Sequence, residues 1–442
     1  MENEQHNTQP ITPIALTSWR NIRKKFGIKA KNRRGHMYII GKTGTGKSSL
    51  LAQMAISDIE QGNGLAIIDP HGDLAETLLS HIPKERIKDV IYFNPSNQEY
   101  PIAFNPLAHV PISSHYLIVS GLLSVFKKIY SEFWGPRLEH ILRFSLYTLL
   151  EYPEGTLLDV TPLLTNADFR KHVLSFCTQS HIRSFWATEF DKYSSYLRSE
   201  AIAPILNKMS HFLTNLPLQN IVGQAKSSFK FREIMDQGKI LIVNLAKGKL
   251  GEDNSALLGS MITTMIFLAA MSRTDIPEYR RRPFYFFVDE FQSFMTSSFA
   301  NILSEGRKYG VNLVLAHQYI KQLPEPIRDA IFGNVGTMIS FRIGTDDAQF
   351  LAREFEPSFT EHDLINLGNY HICIKLMIDG VTSVPFSGIT IPIPEVIISC
   401  KEEIILHSRN KYSTQKNKLD MQKHSNVYQH EDTKSNQSSL FK

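Results

Sequence analysis

Cysteine is scarce. The chain holds three, Cys177, Cys373 and Cys400, far apart and without CxxC or Cys/His ligand spacing. That excludes a thiolate zinc site and a disulfide framework, and it suits a reducing compartment. Long apolar runs are also missing. The longest, Ala256–Met271, falls short of the ~20 residues that a bilayer span needs. Gly259, Ser260, Thr263 and Thr264 interrupt it, so it reads as a buried core helix. No apolar stretch precedes Met37, so neither a secretory signal nor a transmembrane anchor is expected. Internal repeats are absent. Net charge is only +5, which neither demands nor excludes a nucleic-acid partner. What remains is an ordinary globular composition of 442 residues, 42% hydrophobic and 21% charged. At roughly 100–200 residues per domain this allows two or three domains.

Residues 1–36 form a polar lead followed by a basic run. Arg20, Arg23, Lys24, Lys25, Lys29, Lys31, Arg33 and Arg34 occur there without an acid. Such a run suits DNA or an anionic lipid surface, or it is simply a solvated segment. From Met37 the pattern becomes strand, loop, helix, repeated. Met37–Ile40, Leu65–Ile68 and Val90–Phe93 read as buried strands. Leu50, Leu51, Met54, Ala55 and Ile59 stripe a helix that Gly62 ends. Between 111 and 220 strand signals vanish and helical patterns dominate, as in Leu138–Leu150 and Ile182–Leu197. Strands return at Ile240–Val243, Phe284–Val288, Asn312–Leu315, Met338–Ile343 and His371–Met377. These patterns predict an α/β domain over 37–110 and 221–398, with a mainly parallel sheet covered on both faces. An all-α domain over 111–220 interrupts it. The polar tail over 399–442, rich in Lys, Asn, Gln and Ser, is expected to be disordered.

Gly41-Lys42-Thr43-Gly44-Thr45-Gly46-Lys47-Ser48 satisfies G-x-x-x-x-G-K-[ST] between a strand and a helix. The glycines let backbone N–H groups, with that of Ser49 at the helix start, point at phosphate, and the helix adds its positive end. Lys47 is expected to reach the β- and γ-phosphates, and Ser48 to supply an oxygen to Mg²⁺. The motif implies binding and hydrolysis of ATP with magnesium.

Phe284–Val288 ends in Asp289 and Glu290, two acids that are costly on a buried strand unless they have work to do. Asp289 is expected in the magnesium shell and Glu290 as the group that polarises the attacking water. Gln318, after the strand Asn312–Leu315, can sense the γ-phosphate. Arg307, in Glu305-Gly306-Arg307-Lys308-Tyr309-Gly310, reads on its own as a surface salt bridge. Asp69 and His71 lie at the sheet edge that holds the phosphate loop, Asp346 and Asp347 read as helix-capping acids, and the Lys247-Gly248-Lys249 turn is a candidate DNA contact.

Taken together, Gly41–Ser48, Ile67–Leu74, Asn94-Pro95, Phe104–Leu107, Val288–Phe291, Glu305–Gly310 and Ala316–Gln318 resemble the HerA–FtsK superfamily of DNA-translocating ATPases. Within it the chain is similar to the type IV coupling proteins of bacterial conjugation, over about Ile28 to Pro394. The resemblance implies a RecA-like core, a homo-oligomeric ring (a hexamer) around DNA, and an all-α domain that helps recognise a relaxase–DNA substrate. It gives Arg307 a role in catalysis at a neighbour's nucleotide and makes Gln318 the γ-phosphate sensor. Many coupling proteins begin with transmembrane helices. Here a basic lead stands before the phosphate loop, so docking to a membrane-bound channel component is expected, with the protein cytoplasmic at the inner face of the membrane. Two rival readings follow. A HerA-type helicase would need a β-barrel ahead of the phosphate loop. A nucleotide-gated recruitment protein would bind secretion substrates without pumping.

Overall fold

The computed structural model of the chain describes residues 10–18, 22–296, 299–417 and 419. Arg20 of the basic run and the tail beyond 419 lie outside them. The chain divides into two compact units.

The first unit runs up to Phe93 and from Lys230 to His407, and it includes Ser120–Ser131. Its frame is an eleven-stranded sheet. Seven strands are parallel, in the order β5 (Val90–Phe93), β6 (Ile240–Asn244), β4 (Gly64–Asp69), β7 (Phe284–Val288), β8 (Val311–His317), β3 (Met37–Ile40) and β9 (Thr337–Ser340). All seven are buried along their length, which is why each reads as an uninterrupted apolar run. Beyond β9 the sheet turns antiparallel through β10 (His371–Lys375), β13 (Phe386–Thr390), β1 (Ile11–Thr17) and β2 (Lys25–Lys29). A small hairpin, β11 (Met377–Ile378) with β12 (Val381–Thr382), leaves the sheet after β10.

Ile11–Thr17 and Lys25–Lys29, within the expected lead, therefore belong to the sheet. Four of the lead's basic side chains meet acids brought from elsewhere. Lys29 and Lys31 pair with Asp379 in the hairpin turn, and Arg34 pairs with Glu278. Arg33 is fully buried against Asp58, 2.6 Å away on the helix Lys47–Glu60. Thr12 of β1 joins that pair, donating to Asp58 at 3.1 Å and accepting from Arg33 at 3.0 Å.

The helix Glu252–Met271 contains the apolar run noted above. By length and composition it could cross a bilayer, yet 67% of its most apolar window is buried inside the fold. Two glycines allow close approach at its flanks. Gly259 lies against Phe294, and a Cβ on Gly121 would meet Thr264 at 2.7 Å. That second contact draws Ser120–Ser131 into the first unit, although the segment lies within the span expected to be a separate domain.

The second unit comprises Asn94–Val119, Glu132–Phe229 and the residues from Ser408 on. It is helical between 111 and 222, with Trp186 fully buried and donating from its indole to Thr148 Oγ1 at 2.8 Å. The pattern at Ile182–Leu197 is not one helix. A short helix, Ser180–Ser184, passes through a π-turn at Phe185–Glu189, and a new helix starts at Ser195. Ser194 caps that helix by accepting from the Leu197 N–H. The polar stretch after 399 also departs from expectation, because Lys401–Tyr412 is a helix. Ile404 is buried in the core of the first unit.

Two buried histidines flank the central strands. Burial, and then the charge of Arg307, hold the His36 ring at a pKa of about 4, and its Nδ1 accepts from the Leu313 N–H at 3.1 Å. Burial, with a smaller effect from Lys47, holds His317 at about 3. The unfolded chain takes up these protons near pH 6.5, and the native state does so only far lower. Stability is therefore lost as pH falls from 6.5 towards 4, on the order of 3 kcal/mol for His36. A His36→Asn variant, less stable than wild type at pH 7, is expected to close that gap by pH 4.5. Urea midpoints of both proteins across this range test it. A gap that stays constant with pH removes His36 as the origin of the acid sensitivity.

Candidate active site

Lys47, Ser48, Asp289, Glu290 and Gln318 gather at the carboxyl ends of β3, β7 and β8, where open α/β sheets hold ligands, whereas Arg307 lies ahead of β8, near His36 at the amino end of β3. β8 lies between β3, which feeds the phosphate loop, and β7, which ends in the two acids. That strand order gives Gln318 a position between the loop and Glu290.

The loop is shaped by its glycines where φ must be positive, 77° at Gly44 and 118° at Gly46. Its start is tied down on both sides, since the Gly41 N–H donates to His317 O at 3.3 Å and the Lys42 N–H to Arg342 O at 2.8 Å. Thr45 is buried and closes the turn, donating from Oγ1 to Lys42 O at 2.7 Å. Gly46 is the N-cap of the fourteen-residue helix Lys47–Glu60 and offers no side-chain cap. The first N–H groups of the helix, including those of Ser48 and Ser49, thus have no partner within it, the arrangement that binds anions. Thr43 and Gly44 are exposed at the tip.

Lys47 is buried and donates from Nζ to the carbonyls of Gly41 at 2.6 Å and Lys42 at 3.2 Å. Burial holds its pKa below the ordinary lysine value, against the opposing charges of Glu290 and Asp289. Ser48 Oγ donates to Asp289 Oδ2 at 3.0 Å. Asp289 is pushed up to about 6, first by burial and then by the charges of Glu290 and Asp69. Among the described residues no group of three or more His, Cys, Asp and Glu could hold a metal alone. A serine hydroxyl beside one carboxylate is instead the donor set of a magnesium site completed by phosphate oxygens and water.

Glu290 is 7% exposed and adopts φ 46°, ψ 48°, a left-handed conformation rare for a residue with a side chain. Both carboxylate oxygens are engaged. Oε1 accepts from Gln318 Nε2 at 2.6 Å, and Oε2 accepts from Gln292 Nε2 at 2.6 Å. A strained acid held by two amides is the kind of outlier that clusters at functional sites.

The chain matches the family model of the type IV secretion-system coupling protein DNA-binding domain over residues 24–363, well over half its length. It belongs to that family. Solved structures of similar fold include the plasmid coupling protein TrwB in complex with ADP and Mg²⁺, with a TM-score of 0.60 at 18% identity, covering 88% of this chain and 97% of that one. The bacterial conjugative coupling protein TrwBdeltaN70, in an unbound form, gives a TM-score of 0.58 at 17% identity over 86% of this chain and 90% of its own. VirB4 of Thermoanaerobacter pseudethanolicus gives 0.55 at 15% identity, covering 87% and 97%. At these identities the likeness establishes the fold, that of a P-loop NTPase with a mostly parallel central sheet. No curated protein sequence matches the chain.

Other residues of this coupling-protein domain lie where the sequence pattern gave no hint of them. Lys128 donates from Nζ to the carbonyls of Ser293 at 2.5 Å and Gln292 at 3.4 Å, bracing the turn that follows Glu290. Burial pushes its pKa down to about 7, and the neighbouring charge of Lys247 adds to that effect. Lys247 itself donates to Ser293 Oγ at 3.3 Å, so of the candidate DNA turn only Gly248 and Lys249 are exposed. Gln292 stands two residues beyond Glu290, after Phe291, yet nothing in Asp289–Gln292 announces that it turns back onto Glu290.

Arg307 is exposed and makes no ion pair among the described residues, so the salt bridge inferred from its local context does not form. Asp69 is turned inward. It accepts from the N–H of His71 at 2.8 Å and of Ala75 at 2.9 Å, holding the turn into the helix Asp73–His81, while His71 is exposed. Asp346 and Asp347 occupy the first turn of the helix Thr345–Phe355 and do not cap it, the N-cap being Gly344. Asp346 pairs with Lys321, and Asp347 accepts from the Ile320 N–H at 3.0 Å.

Proposed function

We propose that the chain is an ATP-driven DNA-translocating motor that couples a relaxase–DNA substrate to a conjugative type IV secretion channel. The observation that carries the reading is the buried Glu290 carboxylate, held 2.6 Å from Gln318 and one residue beyond the Ser48–Asp289 pair. A protein that only binds nucleotide needs the phosphate loop. It does not need a strained acid set beside a sensing amide.

In this mechanism the loop Gly41–Ser49 cradles the phosphates of ATP through its N–H groups. Lys47 exchanges the carbonyls of Gly41 and Lys42 for the β- and γ-phosphates. Ser48 and Asp289 would hold Mg²⁺, whose charge offsets that of the phosphate oxygens. Glu290 takes a proton from the attacking water as the bond from the γ-phosphorus to the ADP oxygen breaks. Gln318 is drawn off Glu290 by the γ-phosphate and returns when phosphate leaves, which ties the chemistry to movement of β8. The exposed Arg307 serves the nucleotide of the adjacent copy in a six-membered ring.

Family membership supports DNA as the cargo. It also supports a relaxase or other secretion substrate, and a membrane-bound channel component, as partners at the inner face of the bacterial membrane. The test is steady-state ATP hydrolysis with and without single- and double-stranded DNA, beside Lys47→Ala. The expected result is a DNA-stimulated activity that Lys47→Ala lowers about 10²-fold or more. Lack of turnover under every condition, with nucleotide binding intact, replaces the motor by a nucleotide-gated recruitment protein.

A further inference from the structure

Tyr370 stands against the phosphate loop on the side away from the acids. It precedes β10, and with φ 65° it holds a left-handed backbone that is a genuine outlier for a bulky side chain. Three hydrogen bonds fix it there. Its N–H donates to Thr45 O at 2.8 Å, and its carbonyl accepts from the Thr390 N–H at 2.9 Å and Thr390 Oγ1 at 3.3 Å. The ring edge rests on Gly46, where a Cβ would lie 2.9 Å from Tyr370 Cδ1. Despite this clamping, half of the residue is exposed. A backbone bonded on both sides, with half of the residue left to solvent, leaves room for a ligand against the side chain.

The polarity of the site indicates what the ring faces. Asp289, Glu290 and Gln318 come from β7 and β8, on one side of β3, so the γ end of a triphosphate chain points there. Tyr370 comes from the strands on the other side of β3, so a triphosphate with its γ end at the acids has its nucleoside end left to that side. Arg342 and Asn369 lie next to it, joined by a hydrogen bond of 3.0 Å from the guanidinium to the amide oxygen, and Arg342 O accepts from the loop at the Lys42 N–H. These groups supply polar donors beside the half-exposed tyrosine.

We propose that Tyr370 is the platform on which the base of the bound nucleotide stacks, a proposal that rests on the nucleotide-binding reading above. Stacking draws on the π-face that every base has, so the site takes purine nucleotides without strong choice between adenine and guanine. Its contribution falls on the nucleoside and not on the phosphates.

The test measures binding of ATP, GTP and inorganic tripolyphosphate, each with Mg²⁺, to the full chain by titration calorimetry. Tyr370→Asn keeps a residue that tolerates the left-handed backbone and removes the ring. It is expected to raise the Kd of ATP and of GTP about tenfold, while that of tripolyphosphate stays at the wild-type value. Tyr370→Phe is expected to bind all three as wild type does. Equal loss for tripolyphosphate, or unchanged ATP affinity in Tyr370→Asn, overturns the stacking role and leaves the motor reading intact. A wild-type chain that binds none of the three overturns both.

Discussion

Glu290→Gln is expected to lower ATP turnover by about 10²- to 10⁴-fold, the range a positioned general base supplies, while nucleotide remains bound. The amide fits the same space, and it can keep one of the two bonds that Gln318 and Gln292 make to the carboxylate. What it cannot do is accept a proton from water. The substitution also acts on its neighbour. The charge of Glu290 is the second cause, after burial, of the raised Asp289 pKa. Removing it favours the ionised Asp289 and with it magnesium and the triphosphate. The expected variant therefore traps ATP: single-turnover hydrolysis is slow, and Kd for MgATP is equal to or below that of wild type. Turnover at the wild-type rate would end the case for Glu290 as the base and shift attention to another acid.

Arg33→Ala is expected to destabilise the protein by about 3–5 kcal/mol, the effect of leaving a buried charge without its partner. Arg33 and Asp58 are both fully buried, with contacts of 2.6 and 2.7 Å. The guanidinium lies 3.7 Å from the centre of the Tyr285 ring. Burial pushes the Asp58 pKa up, and Arg33 is the chief group opposing that shift. Without it Asp58 must take a proton or draw in water. Asp58 sits in the last turns of the helix that starts at Lys47, so this damage reaches the phosphate loop through the helix. The double variant Arg33→Met with Asp58→Leu fills the space without charge and is expected to recover most of the loss. Thermal unfolding of the single and double variants distinguishes these outcomes. A single variant that melts with wild type would mean the pair is not worth its burial.

The parts of this fold that were legible are those in which a run of residues carries its own signal. Each of the seven parallel strands is buried on both faces, so Ile67 or Phe286 needs no partner to be recognised as core. Of the antiparallel edge only β10, within the apolar run His371–Met377, was legible. β2 reads Lys-Phe-Gly-Ile-Lys and looks like charge, β13 contains Gly388, and β1 contains Pro13. Those strands exist because of pairing between distant segments, Ala15 with Thr390 for example, which no local pattern encodes. The helix Lys401–Tyr412 was hidden in the same way, since a few buried positions such as Ile404 anchor an otherwise polar sequence.

The candidate site divides along the same line. The phosphate loop and the Asp289-Glu290 pair are contiguous and were recognisable. Gln318 was recognisable as a polar residue at a strand end, but its bond to Glu290 follows from the order of strands. Lys128 lies in a stretch whose helical pattern assigned it to the inserted domain. Its Nζ reaches the turn after Glu290 because Gly121 lets its helix approach Thr264.

The antiparallel edge also bears on how the chain is made. β1 is synthesised long before β13, and the two pair side by side. Until β13 leaves the ribosome, β1 and β2 can form only a hairpin with an open edge, a state of marginal stability. Arg33 and Asp58 are close enough in sequence to meet early, well before that. Synthesis would thus hold the first hairpin beside the helix of the phosphate loop through one buried ion pair, with the sheet completed only once residues 386–390 arrive. Charged Lys25 and Lys29 lie on β2, the other edge of that hairpin, which stays open in the finished sheet, and they keep it from pairing with another chain.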